Sequence, residues 1–227
     1  LADVPGALAS FEEALAVDRR LPGVVEGYVR ASAAMGRLED AVAPLEKIRL
    51  EPMNRAEEAR ILPILAGVYT SLGRVDDAEK AWRRLRAIDP RSIAALRFYE
   101  DYHEARQDFQ KLFTTLQFAL SVVEANDEKV RINRKMAAIA EGVLANPDRA
   151  IEAYKRVLGV LPRDAETETA LVALYEKTGK WHALVEFYNE RLRHLPIEDV
   201  AHRVETLYHI IDIYRDPAKL PGDDNVL

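Results

Sequence analysis

The chain of 227 residues contains no cysteine. That removes disulfide frameworks, thiolate metal sites and a cysteine nucleophile at once, and leaves the redox compartment open. Long apolar runs are missing too: no stretch approaches the ~20 residues needed to span a bilayer, and no secretory signal is visible, so direct membrane insertion is not expected and a cytoplasmic location is favoured over a periplasmic one. Positive charge is in deficit, with 32 Lys and Arg against 38 Asp and Glu and a formal net charge of -6, which argues against a general nucleic-acid binder. There is no glycine-rich phosphate loop, no Gly-x-Ser-x-Gly elbow, no His-Glu-x-x-His and no Gly-x-Gly-x-x-Gly, so catalysis is not expected and no cofactor is implied.

What is present is helical periodicity, clearest in Ile61 to Pro90. Leu62, Leu65, Ala66 and Tyr69 share one face at a period of 3.6 residues. Gly73 ends that helix, Asp76 or Asp77 is expected to cap the next, and Ala78, Trp82 and Leu85 form its buried face up to Asp89-Pro90. The result is an antiparallel helical hairpin. Its marks recur: Ala41, Ala78 and Ala150 begin second helices, Gly36, Gly73 and Gly179 occupy tight turns, Leu45, Trp82, Tyr154 and Tyr188 follow as large apolar residues, and Pro90, Pro162 and Pro196 close units.

Leu65, Gly67 (one place late), Tyr69, Gly73, Ala78, Trp82 and Pro90 resemble the tetratricopeptide repeat (TPR), a hairpin of about 34 residues. The resemblance implies an all-α fold, a right-handed α-α superhelix of stacked hairpins, in a divergent array of bacterial type. We read residues 1–227 as one solenoid segment with repeats near 1–20 (partial), 21–53, 54–90, 91–125, 126–162, 163–196 and 197–227 (partial). Pro22 opens the second of these. Pro44 is expected to bend slightly a helix that begins near Glu39, and Pro63 to kink the first helix of the third repeat. Ser92, Asp108 and Asn146 are the expected caps of later helices, with Pro147 at a first helical position. The opening GALASFEEALAV reads as a second helix without its partner and the closing DPAKLPGDDNVL as a turn into a helix cut short. A fragment of a longer array is therefore expected, with possible self-association through uncapped ends.

The resemblance also implies a concave groove lined by first helices, which holds a peptide or helix of another protein. On the matched positions the groove residues are Arg60, Thr70, Arg97, Asp101, Glu104, Lys135, Thr169, Glu176 and Tyr208, with Ile139 and Ala173 beside them. Relatives that grip a C-terminal carboxylate use a lysine and asparagines, and no asparagine falls on those positions here. The function implied is a non-enzymatic interaction scaffold or adaptor. The alternative is a targeting or regulatory module of a larger enzyme or membrane-associated assembly.

Two clusters invite a sharper reading. His202, Glu205, His209 and Asp212 share a helical face and are of metal-ligating type, but the histidines are about 10 Å apart along a straight helix, too far to chelate one ion. A solvated face is the expected role, with no metal. Arg83, Arg84, Arg86 and Arg91, with Arg97 close in sequence, offer guanidinium groups to an anionic partner, and the competing role is an exposed side opposite Trp82 and Leu85. Trp82 is expected to pack, whereas Trp181, just after a turn, is the more open of the two tryptophans.

Overall fold

The computed structural model describes residues 3–18, 21, 23–216 and 218–220. Among them there are twelve α-helices and no strand. Two compact units are formed, Leu1–Gln107 and Asp108–Leu227. The division falls within the stretch read as the fourth repeat.

The first unit carries α1 (Val4–Asp18), α2 (Val24–Ala34), a 3-10 turn (Leu38–Ala41), α3 (Val42–Arg49), α4 (Arg55–Ser71), α5 (Val75–Ile88) and α6 (Ile93–Ala105). Chain neighbours pack on one another, and the α4–α5 hairpin is the most extensive of these pairings. Its core is one continuous cluster from Leu8 through Val25, Leu45, Ile61, Leu65 and Leu85 to Tyr99. Ala41 and Ala78 have no exposed surface, because a methyl group at each lets the facing helix approach closely.

Turn chemistry explains how the hairpins close. Gly73 has φ of 71°, in the left-handed region, which frees the Arg74 N–H to donate to the Tyr69 carbonyl at 2.9 Å and the Gly73 N–H to donate to the Thr70 carbonyl at 3.1 Å. These are the two bonds that satisfy the last carbonyls of a helix ending in a left-handed residue. Gly36 and Gly179 repeat the device. Where the turn glycine is lost, Gln107 takes φ of 56° in its place, and Ala145 does the same at 47° before α9.

Two local expectations are corrected. Neither Asp76 nor Asp77 caps α5: the helix begins at Val75 after Arg74, and both acids sit inside its first turn, where Asp77 pairs with Arg74 at 2.9 Å and Lys80 at 3.1 Å. There they meet the positive end of the helix. The return helix of the second hairpin starts as the 3-10 turn, so Pro44 falls in the first turn of α3, where its missing N–H has no partner to lose. Helix α4 carries Pro63 inside it, as expected, and starts from a reciprocal cap in which Asn54 accepts from the Glu57 N–H at 3.0 Å and Glu57 accepts from the Asn54 N–H at 2.9 Å. Ser92, Asp108 and Asn146 also cap α6, α7 and α9 as expected, with Pro147 first in α9.

Two tyrosines tie a first helix of the unit to the second helix before it. Tyr69 of α4 donates its hydroxyl to Glu46 of α3, and Tyr99 of α6 donates to Glu79 of α5 at 3.1 Å. Burial, then the bond to Glu46, pushes the Tyr69 phenol up to about 12; burial and then the charge of Glu79 raise that of Tyr99.

The second unit contains α7 (Phe109–Leu120), α8 (Asn126–Gly142), α9 (Pro147–Val160), α10 (Ala165–Lys177), α11 (Trp181–His194) and α12 (Val200–Arg215). Leu112, Leu116, Met136, Val157, Leu171 and Leu184 form its interior, and Ala137, Ala140, Ala150 and Ala153 lie at the α8–α9 crossing. A run of apolar side chains on α12, Val200, Val204, Leu207, Ile211 and Tyr214, remains exposed at steps of four, three, four and three residues. That spacing traces one helical face. The helix expected beyond Asp216 and the opening position Pro22 lie outside the described residues.

Candidate functional site

A deep concavity belongs to the second unit. It has a volume of about 760 Å³ and lies among the C-terminal half of α9, the start of α10, the C-terminal half of α11 and the first turn of α12. Each wall is fixed by a helix end. Helix α9 stops at Leu161-Pro162, and Asp164 then caps α10 by accepting from the Thr167 N–H at 3.1 Å while pairing with Arg134 of α8 at 2.8 Å. Arg203 of α12 donates to the carbonyls of Leu192 and Leu195 at 2.9 and 3.1 Å, so it closes the end of α11. Asp199 caps α12.

The floor is apolar: Leu158, Pro162, Leu171, Phe187 and Leu195. Charge rings it. Glu168 pairs with Arg191 at 3.5 Å, Glu190 with Arg193 at 2.7 Å and His194 at 2.9 Å, and Asp199 with His202 at 2.7 Å. His194 first, then Arg193, hold the Glu190 carboxyl below its ordinary range, and the bond from His202 does the same for Asp199. No hydroxyl or thiol side chain lines this cavity. An apolar floor under a charged rim suits the side chains of a bound polypeptide.

A second cavity of about 600 Å³ lies on the other side of α9, lined by the end of α7, by Lys129 and Asn133 of α8, and by Arg156, Gly159 and Val160 of α9. Gly159 lines both cavities, and a Cβ built on it would meet no atom within 4 Å.

Sequence-derived candidates fare unevenly. In the first unit Arg60 pairs with Glu26 at 3.4 Å, the Thr70 hydroxyl donates to the Ala66 carbonyl of its own helix, and Arg97, Asp101 and Glu104 lie exposed at steps of four and three residues on α6. In the second unit Lys135 is half-buried, Thr169 donates to the Ala165 carbonyl, and Glu176 and Tyr208 are exposed. Ile139 is buried, inside the packing rather than on an open face.

The four metal-type residues are not brought together. His202 is engaged by Asp199, the His209 ring stacks on Tyr188 at 5.3 Å, and Glu205 and Asp212 face solvent. Among the described residues no group of three or more His, Cys, Asp or Glu side chains is placed to hold a metal ion. Most of the arginine group is spent internally: Arg84 pairs with Glu58 at 2.7 Å, Arg83 with Glu79 at 3.5 Å, and Arg86 lies over the Tyr99 ring. Trp82 packs against Phe98, and Trp181 is half-buried beneath Lys219. Sequence reading missed Lys155, Gly159, Arg163 and Phe187. The one available signal was Gly159, a glycine inside an otherwise regular helix.

Comparison with solved structures defines the class. A tetratricopeptide repeat protein from Parabacteroides merdae matches with a TM-score of 0.51 at 17% identity, over 97% of this chain and 88% of that one. YrrB, described as a TPR protein with an unusual peptide-binding site, matches with a TM-score of 0.51 at 16% identity, over 94% of this chain and 96% of its own. BtubC from P. vanneervenii gives 0.50 at 14% identity, with 93% of each chain covered. The chain has the all-α fold of tetratricopeptide-repeat proteins. No family model matches the sequence, and no curated protein matches it.

Proposed function

We propose that the chain is a non-catalytic interaction scaffold, a TPR array over residues 1–227, that receives a segment of a partner protein in the cavity bounded by α9, α10 and α11. The carrying observation is that cavity: about 760 Å³ with a floor of leucine, proline and phenylalanine and a charged rim. Peptide recognition is also what is described for YrrB, a neighbour in fold. The rival docking surfaces are the first-helix faces of each unit taken by itself: Arg97, Asp101 and Glu104 on α6 in the first, and Thr169 and Glu176 on α10 in the second.

A photo-crosslinking residue placed at position 159, and in separate variants at 97 and 176, tests the assignment in the native source's lysate. Adducts at 159 that are lost at 97 and 176 support the cavity. Adducts at 97 or 176 alone sink it and return binding to the first-helix face.

A second reading rests on the exposed apolar face of α12. We propose that a second copy of the chain covers it. Sedimentation then shows a concentration-dependent dimer that Leu207→Glu with Ile211→Lys abolishes; a monomer at every concentration removes this reading.

A further inference from the structure

The charges around α9 specify the partner more narrowly. This inference rests on the docking site proposed above. Every acidic side chain lining the larger cavity already has a side-chain partner: Glu168 has Arg191, Glu190 has Arg193 and His194, and Asp199 has His202. Among the described residues Lys155 and Arg163, which line the same cavity, have no carboxylate within ion-pairing distance, although Arg163 contributes a weak field at Asp199. The smaller cavity has Lys129 and Arg156 on its wall, likewise unpaired among the described residues, and no acidic residue among the described side chains that line it. In a chain of net charge -6 these positions form a strip of surplus positive charge.

Gly159 joins the two cavities. A glycine in a helix costs ~1 kcal/mol relative to alanine, and here no neighbouring atom requires the missing methyl group. Its absence keeps a saddle open across α9, between the apolar floor on one side and Lys129 and Arg156 on the other. Lys155 stands one turn before Gly159 on α9 and Arg163 lies in the turn between α9 and α10, so the two cations stand on either side of the saddle along the chain.

We propose that the partner is an acidic amphipathic segment of another protein. It crosses α9 at Gly159, seats an apolar side chain over Leu158, Leu171 and Phe187, and sets carboxylates against Lys155 and Arg163 and against Lys129 and Arg156. A nucleic acid fits less well, since its phosphodiester backbone brings no aliphatic side chain to set over Leu158, Leu171 and Phe187.

Fluorescence anisotropy of the intact chain with labelled probes tests this. The probes are a peptide of about 15 residues with leucine at helical spacing and glutamate between, its counterpart with lysine for glutamate, and a single-stranded oligodeoxynucleotide of equal charge. The glutamate peptide is expected to bind at least about tenfold more tightly than either other probe, and to weaken several-fold between about 50 and about 300 mM salt. Lys155→Glu with Arg163→Glu weakens it at least about tenfold, as does Gly159→Trp, which fills the saddle from an exposed position; Arg97→Glu stays within about twofold. Thermal melts of the variants confirm folding. Equal binding of the two peptides, tighter binding of the oligonucleotide, or indifference to both the charge and the saddle variants overturns the proposal. Crosslinks at position 159 without preference for the glutamate peptide sink the acidic partner and leave the docking site standing, whereas no crosslink there and no peptide binding remove both.

Discussion

Replacing Tyr69 by phenylalanine tests the coupling between α4 and α3 through a pH dependence whose sign is fixed in advance. At neutral pH the variant loses the hydroxyl bond to Glu46 but keeps the ring in place, and Glu46 retains Arg49 at 2.6 Å. A hydrogen bond to a charged acceptor then sets the loss at about 1.5 kcal/mol. Alkaline pH reverses the comparison. The phenol is held up to about 12 in the folded chain, against an ordinary value near 10, so the neutral form is favoured by folding. Its contribution is complete below pH ~10 and is lost as pH rises toward ~12, reaching about 1.4 kcal/mol at pH ~11. Phenylalanine has no proton to lose. The gap between the two proteins is therefore expected to shrink from about 1.5 kcal/mol at pH ~7 to near zero at pH ~11, while the slope due to Tyr99 and Tyr28 is common to both. Urea titrations in a Trp181→Phe background read it, because Trp82 is then the one tryptophan and reports the first unit. A gap that stays constant or widens with pH would refute the assignment of the raised phenol to this contact.

Other outcomes follow from backbone and packing. Ala145→Gly and Gln107→Gly relieve left-handed strain at φ of 47° and 56° and are each expected to stabilise by about 0.5–1 kcal/mol, after allowing for the freer unfolded chain, whereas Gly73→Ala destabilises by about 1 kcal/mol or more; denaturant midpoints decide the signs. Trp82 is buried with its indole N–H unpartnered, so Trp82→Phe costs only volume, about 1–2 kcal/mol, against about 3–5 kcal/mol for Trp82→Ala, and equal costs would contradict this. Gly27→Ala brings a Cβ to 2.3 Å from the Phe11 ring and is expected to cost about 1–3 kcal/mol, with Phe11→Leu restoring part of the loss in the double variant.

Much of the fold is legible because repeat architecture states each rule several times. Gly36, Gly73 and Gly179 all mark turns, Ala41, Ala78 and Ala150 all fall where helices cross, and each was readable from period and residue size alone. Boundaries inside a turn were less legible. Arg74 is not a residue type that announces a cap, so the acids after it looked like the better start, yet an acid serves the helix as well from inside the first turn as from the cap itself. Likewise Pro44 signals interruption in a sequence but sits where a helix has no donor to spare.

Candidate binding residues were harder to find because periodicity detects what is buried, whereas a cavity is a place where packing is withheld. Of the positions mapped onto the first helices, Arg60, Thr70 and Thr169 satisfy their polar groups within the chain, which lowers what each has left for a ligand. The surplus lies on and just after α9, where among the described residues Lys155, Arg156 and Arg163 have no carboxylate partner while the acids lining the larger cavity are matched. Composition hid this, since a net charge of -6 averages over exactly the pairing that distinguishes one surface from another. Formal charge is thus a poor guide to a docking face in a chain so rich in ion pairs, because a paired acid near a cavity repels little and an unpaired lysine still attracts. What identifies the face is the difference between charge present and charge already answered, and beside Gly159 that difference is positive, where the chain also omits a side chain that would stand in a partner's way.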